Sequence, residues 1–466
     1  MILKDKLKEE PGFQYIIEGM ELMSSVGRSQ LLASSMETSP TAINAELDRV
    51  QTMKDLLCDP EMQHPLADLK HRLMELQDIQ GTITHLQHRV VLDEIELYEI
   101  KNFSYICMGA SRAAGTLHID AILSIPDLAP VFEILDPDHT RIPSFYIYDS
   151  YHPELAAVRK QMRALKDTDT EDAARFNELF NRQNDLQQEI ITRLSDRLYP
   201  YAGLLSRALT QMGYADILLA KATQAHKWNL CRPQIQPFHK VTTRYEGLFN
   251  PRLQHHKLQQ GLRYQPVDIE VSQGLCIITG ANMAGKTVAL KTMGITQMMC
   301  QFGMFVPAVK AEVALVDDII FCIGDEQNEM NGLSSFASEI IKISTTLQRS
   351  RSEHLLILID EPARTTNPVE GKAIVQAISQ ILNSRDSISL ITTHYSQLGI
   401  PCRKLRVKGF LEQMVSAPLT PENINLYMDY SLIPDQSEDV PLEALRIAAI
   451  LGCDPDMISL AEEKLK

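Results

Sequence analysis

Apolar residues recur three or four positions apart through the first half of the chain: Ile43, Leu47, Val50 and Met53, then Leu66, Leu69, Leu73 and Leu76. That spacing keeps one face of an α-helix apolar and predicts packed helices from Gly12 to about Val90, with Ser39-Pro40-Thr41 as a helix start. Residues 115–150 break the pattern. Pro126, Pro130, Pro137 and Pro143 interrupt short apolar pieces, Asp136-Pro137-Asp138-His139 signals a turn, and Ser144-Phe145-Tyr146-Ile147-Tyr148 reads as a strand. A small β insertion is therefore expected near 117–150. From Glu154 to Leu198 the helical spacing resumes at Phe176, Leu179, Leu186, Ile190 and Leu194, and it continues through Ala215 to Lys227. Arg232-Pro233-Gln234-Ile235-Gln236-Pro237 reads as a linker. Beyond it the period changes. Leu275–Ile278 is a short apolar strand, Leu355–Ile359 is an unbroken apolar run, the pattern of a strand buried on both faces, and Ile388-Ser389-Leu390-Ile391-Thr392 reads as a third strand. The expected organisation is a mostly α-helical domain over 1–236 and an α/β domain over 237–466.

Composition changes this picture little. The chain has 466 residues, 44% apolar and 23% charged, enough for two or three domains with full cores. The net charge of −15 gives no whole-chain support for tight nucleic-acid binding, which draws its non-specific affinity from phosphate contacts. Acids and bases nearly balance over 151–200, so the long helices there read as a structural lever rather than a basic arm. The eight cysteines contain no C-x-x-C pair and fit reduced thiols. His85 and His88 share a helix face with no third donor nearby, which fits a solvated face better than a metal site. The N-terminus lacks the apolar stretch of a signal peptide and no run reaches membrane-spanning length, so a cytoplasmic protein without membrane contact is expected.

The chemistry concentrates in the second half. Gly280-Ala281-Asn282-Met283-Ala284-Gly285-Lys286-Thr287 satisfies G-x-x-x-x-G-K-[ST] between a strand and a helix. Backbone N–H groups of such a loop and the positive end of the helix dipole capture phosphates. Lys286 is expected to reach the β- and γ-phosphates, and Thr287 to ligate Mg²⁺. Leu355–Ile359 ends in Asp360-Glu361, delivering two acids to the ligand-binding edge of a parallel sheet. Asp360 is the candidate metal carboxylate and Glu361 the residue that polarises attacking water. His394, at the end of the run Ile388–Thr392, is a candidate γ-phosphate sensor. Asn331-Gly332-Leu333-Ser334-Ser335 precedes a helix, either as a serine cap or as a phosphate-binding helix start.

In this order the motifs resemble the MutS family of ABC-type ATPases, over roughly residues 240–466. Gly280–Thr287 is similar to its phosphate loop, Phe305-Val306-Pro307-Ala308 to its [YF]-V-P-A segment, and Gly332-Leu333-Ser334-Ser335-Phe336 with Glu339 to its G-x-S-[ST]-F-x-x-E element. Asp360, Glu361 and Arg364 match a D-E-x-x-R run, and Thr393-His394-Tyr395 a T-H-Y switch. The resemblance implies a P-loop NTPase fold and an ATP-hydrolysing homodimer in which Ser334 and Ser335 contact ATP across the interface. It also implies an adenine-stacking role for Tyr264 and a C-terminal helical dimerisation element around Ala444–Leu460. Ala215–Ala222, Arg232-Pro233 and Pro143–Arg159 resemble the core and lever of the branch without mismatch-recognition domains.

Departures from the pattern set the remaining expectations. A short form is expected, without mismatch-recognition, long clamp or nuclease-like domains. Glu370-Gly371 stands for the family's Asp-Gly, Thr365-Thr366-Asn367-Pro368 for Gly-Thr-Ser-Thr, and Ala284 for a loop glycine. Three roles follow: a DNA mismatch-repair or recombination ATPase that clamps DNA, the ATPase of a reactivase for an adenosylcobalamin-dependent aminomutase, and a nucleotide-gated scaffold.

Overall fold

The computed structural model describes residues 1–165, 170–237, 242–280, 285–323, 335–411, 424–435, 445, 448 and 452–465. It separates into two compact units, one of Met1–Met20, Ser34–Gln51 and Gln224–Lys466, the other of Glu21–Ala33 and Thr52–Thr223.

The first unit carries the sheets. Strands β1 (Gln234–Ile235), β2 (Thr242–Leu248), β3 (Val267–Ser272), β4 (Gly274–Thr279), β5 (Lys310–Val313), β6 (Asp318–Cys322), β7 (Leu355–Asp360), β8 (Ile388–Thr392), β9 (Arg403–Phe410) and β10 (Met428–Pro434) form two sheets. The larger has the order β10-β9-β4-β8-β7-β6; all its pairings are parallel except the edge pair β9–β10. Both faces of its centre are covered, so β4 and β8 are buried at every position, as are the first five residues of β7. The smaller sheet, β1-β5-β2-β3, is antiparallel except for β1–β5. Residues 232–237, which read as a linker in sequence, thus contribute a strand, and Arg232 is further tied to Asp48 at 2.6 Å. The N-terminal segments are integral to this unit. Lys6, fully buried, donates to the Ile319 carbonyl at 2.9 Å and pairs with Asp318 at 2.8 Å, while Phe13 stacks on Phe302 at 5.8 Å.

The second unit is helical, built around Glu94–Thr116, which opens on a capping box between Asp93 and Glu96 and buries Leu97, Ile100, Phe103, Ile106 and Cys107. The long amphipathic stretch folds as Pro153–Ala164 and Thr170–Leu198, joined by a bidentate Arg182–Glu154 pair. The strand expected at Ser144–Tyr148 does not form, and no strand occurs among the described residues 117–150. Side chains satisfy the segment instead. Lys101, with no solvent exposure, donates to Asp136 at 3.0 Å, the Ser144 carbonyl at 3.0 Å and the Tyr148 hydroxyl at 2.9 Å, and Tyr148 is itself fully buried. An isolated extended segment without a sheet edge gains more from packing its aromatic ring than from a ladder it cannot complete. Asp216 plays a similar part, accepting from the Met23 and Ser24 amides and the Ser24 hydroxyl. His85 bonds Glu96 and His88 its own helix carbonyl at Thr84; no group of three metal-ligating side chains exists among the described residues.

Candidate functional site

The site gathers at the C-terminal edge of the large sheet. Strand β8 lies between β4 and β7, with Thr392 in register with Ile278 on one side and Asp360 on the other. The phosphate-loop strand and the acidic strand are therefore bridged by the strand that carries the Thr-His-Tyr run. β4 is followed by Gly280 (φ 142°), where a Cβ would lie 3.2 Å from the Val407 Cβ. Gly285 (φ 83°) caps the helix Lys286–Gln301, and a Cβ there would lie 3.1 Å from the Tyr430 ring. Both positions combine a backbone that L side chains rarely adopt with a neighbour close by, which only glycine tolerates without strain. Ala281, Asn282, Met283 and Ala284, between them, lie outside the described residues.

The helix start aims the two chemically active side chains of the motif inward. Lys286, 5% exposed, donates to the Gly280 carbonyl at 2.8 Å and stands 3.5 Å from Glu361. The Thr287 hydroxyl donates to Asp360 at 2.7 Å, and Thr392 donates to the other oxygen of the same carboxylate. Glu361 leaves the strand with φ 44°, its amide donating to the Thr392 carbonyl and hydroxyl at 3.1 and 3.0 Å. Ala363 follows with φ 60°, and its amide donates to Glu339 at 3.1 Å. Two non-glycine residues in the left-handed region within one turn mark stored strain, which cross-links from β8 and from the helix Ser335–Arg349 hold in place. Arg364 approaches Glu361 at 3.9 Å from an exposed position. His394 is exposed at the end of β8, its ring 4.4 Å from that of Tyr395, whose hydroxyl donates to the Ala363 carbonyl at 3.4 Å. Lys286, Thr287, Asp360 and Glu361 are thus in mutual reach, and His394 occupies the same edge. Ser334 lies outside the described residues; Ser335 begins its helix, and its side chain is not described.

A cavity of about 250 Å³ opens beside Gly285, with Tyr264, Tyr430, Lys257, Gln265, Val288 and Thr292 among its walls. Tyr264 accepts a hydrogen bond from the Asn250 amide at 3.0 Å; burial, only partly offset by that bond, pushes its phenol above the usual range and keeps it neutral. The Lys257 ammonium lies 5.9 Å from the Tyr264 ring centre and 5.4 Å from that of Tyr430. Sequence reasoning found Tyr264 but not Tyr430, Lys257 or Thr392. Thr392 had a signal, a hydroxyl closing the strand just before the Thr-His-Tyr run. Tyr430 arrives from an edge strand remote in sequence and had none.

The donor set can hold a hard cation. One hydroxyl and one carboxylate converge next to a buried lysine, the oxygen chemistry that Mg²⁺ takes together with phosphate and water. A glycine-bounded loop at a helix start, a buried lysine, an acidic strand end and an aromatic-walled cavity together define a P-loop nucleotide-binding domain.

Comparison with known proteins narrows that class. Residues 276–466 match the family description MutS domain V. Proteins named endonuclease MutS2 are similar to this chain: one from Agathobacter rectalis is 32% identical over 228 residues, 48% of this chain and 28% of its own length. Those from Pediococcus pentosaceus (33%, covering 61% of this chain and 35% of the relative) and Thermomicrobium roseum (32%, covering 62% and 37%) are similar over longer stretches. The matches span about a third of those relatives' length. The chain carries the ATPase domain of the MutS family. Among the described residues no helix is long and apolar enough to cross a membrane.

Proposed function

We propose that this protein binds and hydrolyses ATP with Mg²⁺, and that as a homodimer it uses the cycle to clamp or remodel DNA in repair or recombination. The observation that carries the ATPase reading is the convergence of Thr287 and Asp360 at 2.7 Å beside Lys286, itself 3.5 Å from Glu361. In this reading the loop amides and Lys286 bind the β- and γ-phosphates, and Lys286 neutralises charge that develops on the transferred group. Thr287 and Asp360 would hold Mg²⁺, which supplies further charge neutralisation when bound. Glu361 orients and polarises the attacking water, its carboxylate aimed by the left-handed turn that Thr392 and Glu339 hold. His394 monitors the γ-phosphate from the end of β8, and Ser334 of a partner copy completes the site. Tyr264 and Tyr430 flank the adenine in the neighbouring cavity. The helical unit, with its paired helices Pro153–Ala164 and Thr170–Leu198, serves as the lever.

The test begins with hydrolysis. Lys286→Ala should lower kcat on the order of 10²–10³-fold, the loss typical of one charge-stabilising donor; turnover at the unsubstituted rate removes the assignment. The DNA client comes from the relatives' name, endonuclease MutS2, and stands against a net charge of −15. A DNA client requires affinity for duplex or four-way-junction DNA that falls steeply with salt, and an ATPase rate that responds to DNA. Absence of both, with hydrolysis intact, transfers the engine to a protein client such as an adenosylcobalamin-dependent aminomutase.

A further inference from the structure

We infer that the sheet-bearing unit holds a second ligand site, for a small, multiply charged phosphate compound, separated from the nucleotide cavity by one helix. The helix Pro251–Gln259 is capped by Asn250, whose side chain accepts from the Leu253 amide. Leu253 and Lys257 take part in the wall of the 250 Å³ cavity at Tyr264 and Tyr430. Arg252, His255 and His256 help to line a different, larger cleft of about 580 Å³, which Lys291, Tyr15 and Glu10 also line. The volume lies within the range of small-molecule sites.

Charge identifies the class of ligand. The cleft gathers two permanent cations and two imidazoles in a chain whose net charge is −15. Among the described residues neither Arg252 nor Lys291 has an ion pair. The one acid of the wall, Glu10, is already committed, accepting from the Gly12 amide at 2.9 Å as the cap of the helix Pro11–Glu18. Two permanent cations stand in the wall against this one carboxylate, so the wall keeps an excess of positive charge, and a concave arrangement concentrates that field on whatever enters. A polyphosphate or phosphorylated metabolite relieves the repulsion with charge-assisted hydrogen bonds, which Arg makes bidentately. Tyr15 is fixed by its hydroxyl's 2.7 Å bond to His255, and both rings contact Trp228, the latter at 5.0 Å edge-on.

The same geometry couples the two cavities. Asn250 donates from its amide to Tyr264 and from its side chain to Thr292, both walls of the nucleotide cavity, while itself lining the basic cleft. Val288 and Leu253 face both spaces. An anion drawn onto Arg252 and His256 therefore loads a helix whose opposite side carries Lys257 over the two tyrosine rings. The binding claim is independent of ATP hydrolysis; the coupling claim rests on the nucleotide reading above.

Trp228 is the chain's single tryptophan and contacts two rings of this wall, Tyr15 and His255, so its fluorescence reports on them. The full chain is titrated with inorganic pyrophosphate, alongside R252A/K291A and K286A. The expected result is a saturable change in Trp228 emission for the unsubstituted protein and for K286A, with affinity at least about tenfold weaker in R252A/K291A, since each lost contact is a hydrogen bond to a charged group. R252K/K291R should recover most of it, which separates a binding role from a folding defect. A response lost in K286A and retained in R252A/K291A assigns the anion to the phosphate loop and overturns the proposal, as does the absence of a saturable response. For the coupling, saturating pyrophosphate should change the affinity of K286A for a fluorescent adenosine, which lacks phosphates to compete; an unchanged affinity with pyrophosphate bound refutes that coupling alone.

Discussion

Gly371 offers a test of how the acidic turn is held. It is buried at the start of the helix Pro368–Asn383, and its backbone is not in the left-handed region, so only space forbids a side chain there. A Cβ would lie 2.3 Å from the Tyr395 hydroxyl, 3.2 Å from its Cζ and 3.1 Å from the Ala363 carbonyl oxygen. Gly371→Ala must therefore push the Tyr395 ring away and break its 3.4 Å bond to Ala363. Overpacking of this kind costs about 1–3 kcal/mol. Tyr395→Phe removes only the hydroxyl; the long bond makes its loss worth about 0.5–1 kcal/mol. In the double variant the worst clash is gone, while the contacts to Cζ and to the Ala363 carbonyl remain tight. The double variant should thus be more stable than the sum of the single changes, with a favourable coupling of about 1 kcal/mol or more. Urea denaturation midpoints of the four proteins give the cycle, and kcat for ATP hydrolysis follows it if the turn positions Glu361. Additive changes in stability, with Gly371→Ala as damaging in the Tyr395→Phe background as alone, refute the steric account.

Tyr430→Ala and Tyr264→Ala should each weaken ATP binding by roughly 5–150-fold, the range of one base–aromatic stack, with a smaller effect on kcat; equilibrium binding in a Lys286→Ala background and steady-state kinetics separate the two. In the helical unit Lys101→Met strips a buried carboxylate of its cation and should destabilise that unit by about 3–5 kcal/mol, read by far-UV circular dichroism in urea. Burial raises the Asp136 pKa, but the Thr140 hydroxyl, the Arg141 amide and Lys101 outweigh it and hold the carboxyl below its ordinary value. Its contribution to stability is therefore complete above the unfolded-state value of about 3.9 and is lost as pH falls through the lower folded value. Thr140→Ala should flatten this acid limb; an unchanged limb removes Asp136 from the account.

What could be read in the sequence was local chemistry with a fixed spacing. The phosphate loop and the acidic strand end each occupy one short segment, and burial on both faces left β4, β7 and β8 as mostly apolar segments of strand length. The order of those strands was not legible, because apolar runs do not say which neighbour they pair with; the placement of β8 between β4 and β7 makes Thr392 a link between loop and acids. The failure at Ser144–Tyr148 has the same root. Its aromatic residues suit a strand or a buried extended segment equally, and a lysine more than 40 positions earlier decides between them. The second wall of the cavity at Tyr264 was hidden for a third reason, since Tyr430 is brought there by the antiparallel edge pair β9–β10.

The contribution of the N-terminal segments to the sheet-bearing unit bears on how nucleotide state leaves the site. The helix Lys286–Gln301 begins at the phosphate loop and ends among those segments. Gln301 donates to the Glu37 and Val316 carbonyls at 3.0 and 2.8 Å, and its own carbonyl accepts from the Glu37 amide at 2.9 Å. A Cβ on Gly12 would lie 2.6 Å from Ile295, so the helix Pro11–Glu18 sits against the same rod without slack. Close-packed interiors transmit displacement rather than absorb it. In the proposed cycle a shift of Lys286 on its phosphates would move both ends of one element, and the segments at the far end continue, at Met20 and at Gln51, into the helical unit. The chain passes between the two units at Met20, Ala33 and Gln51 as well as at Thr223, so covalent continuity between them does not depend on the connection at Thr223–Gln224 alone.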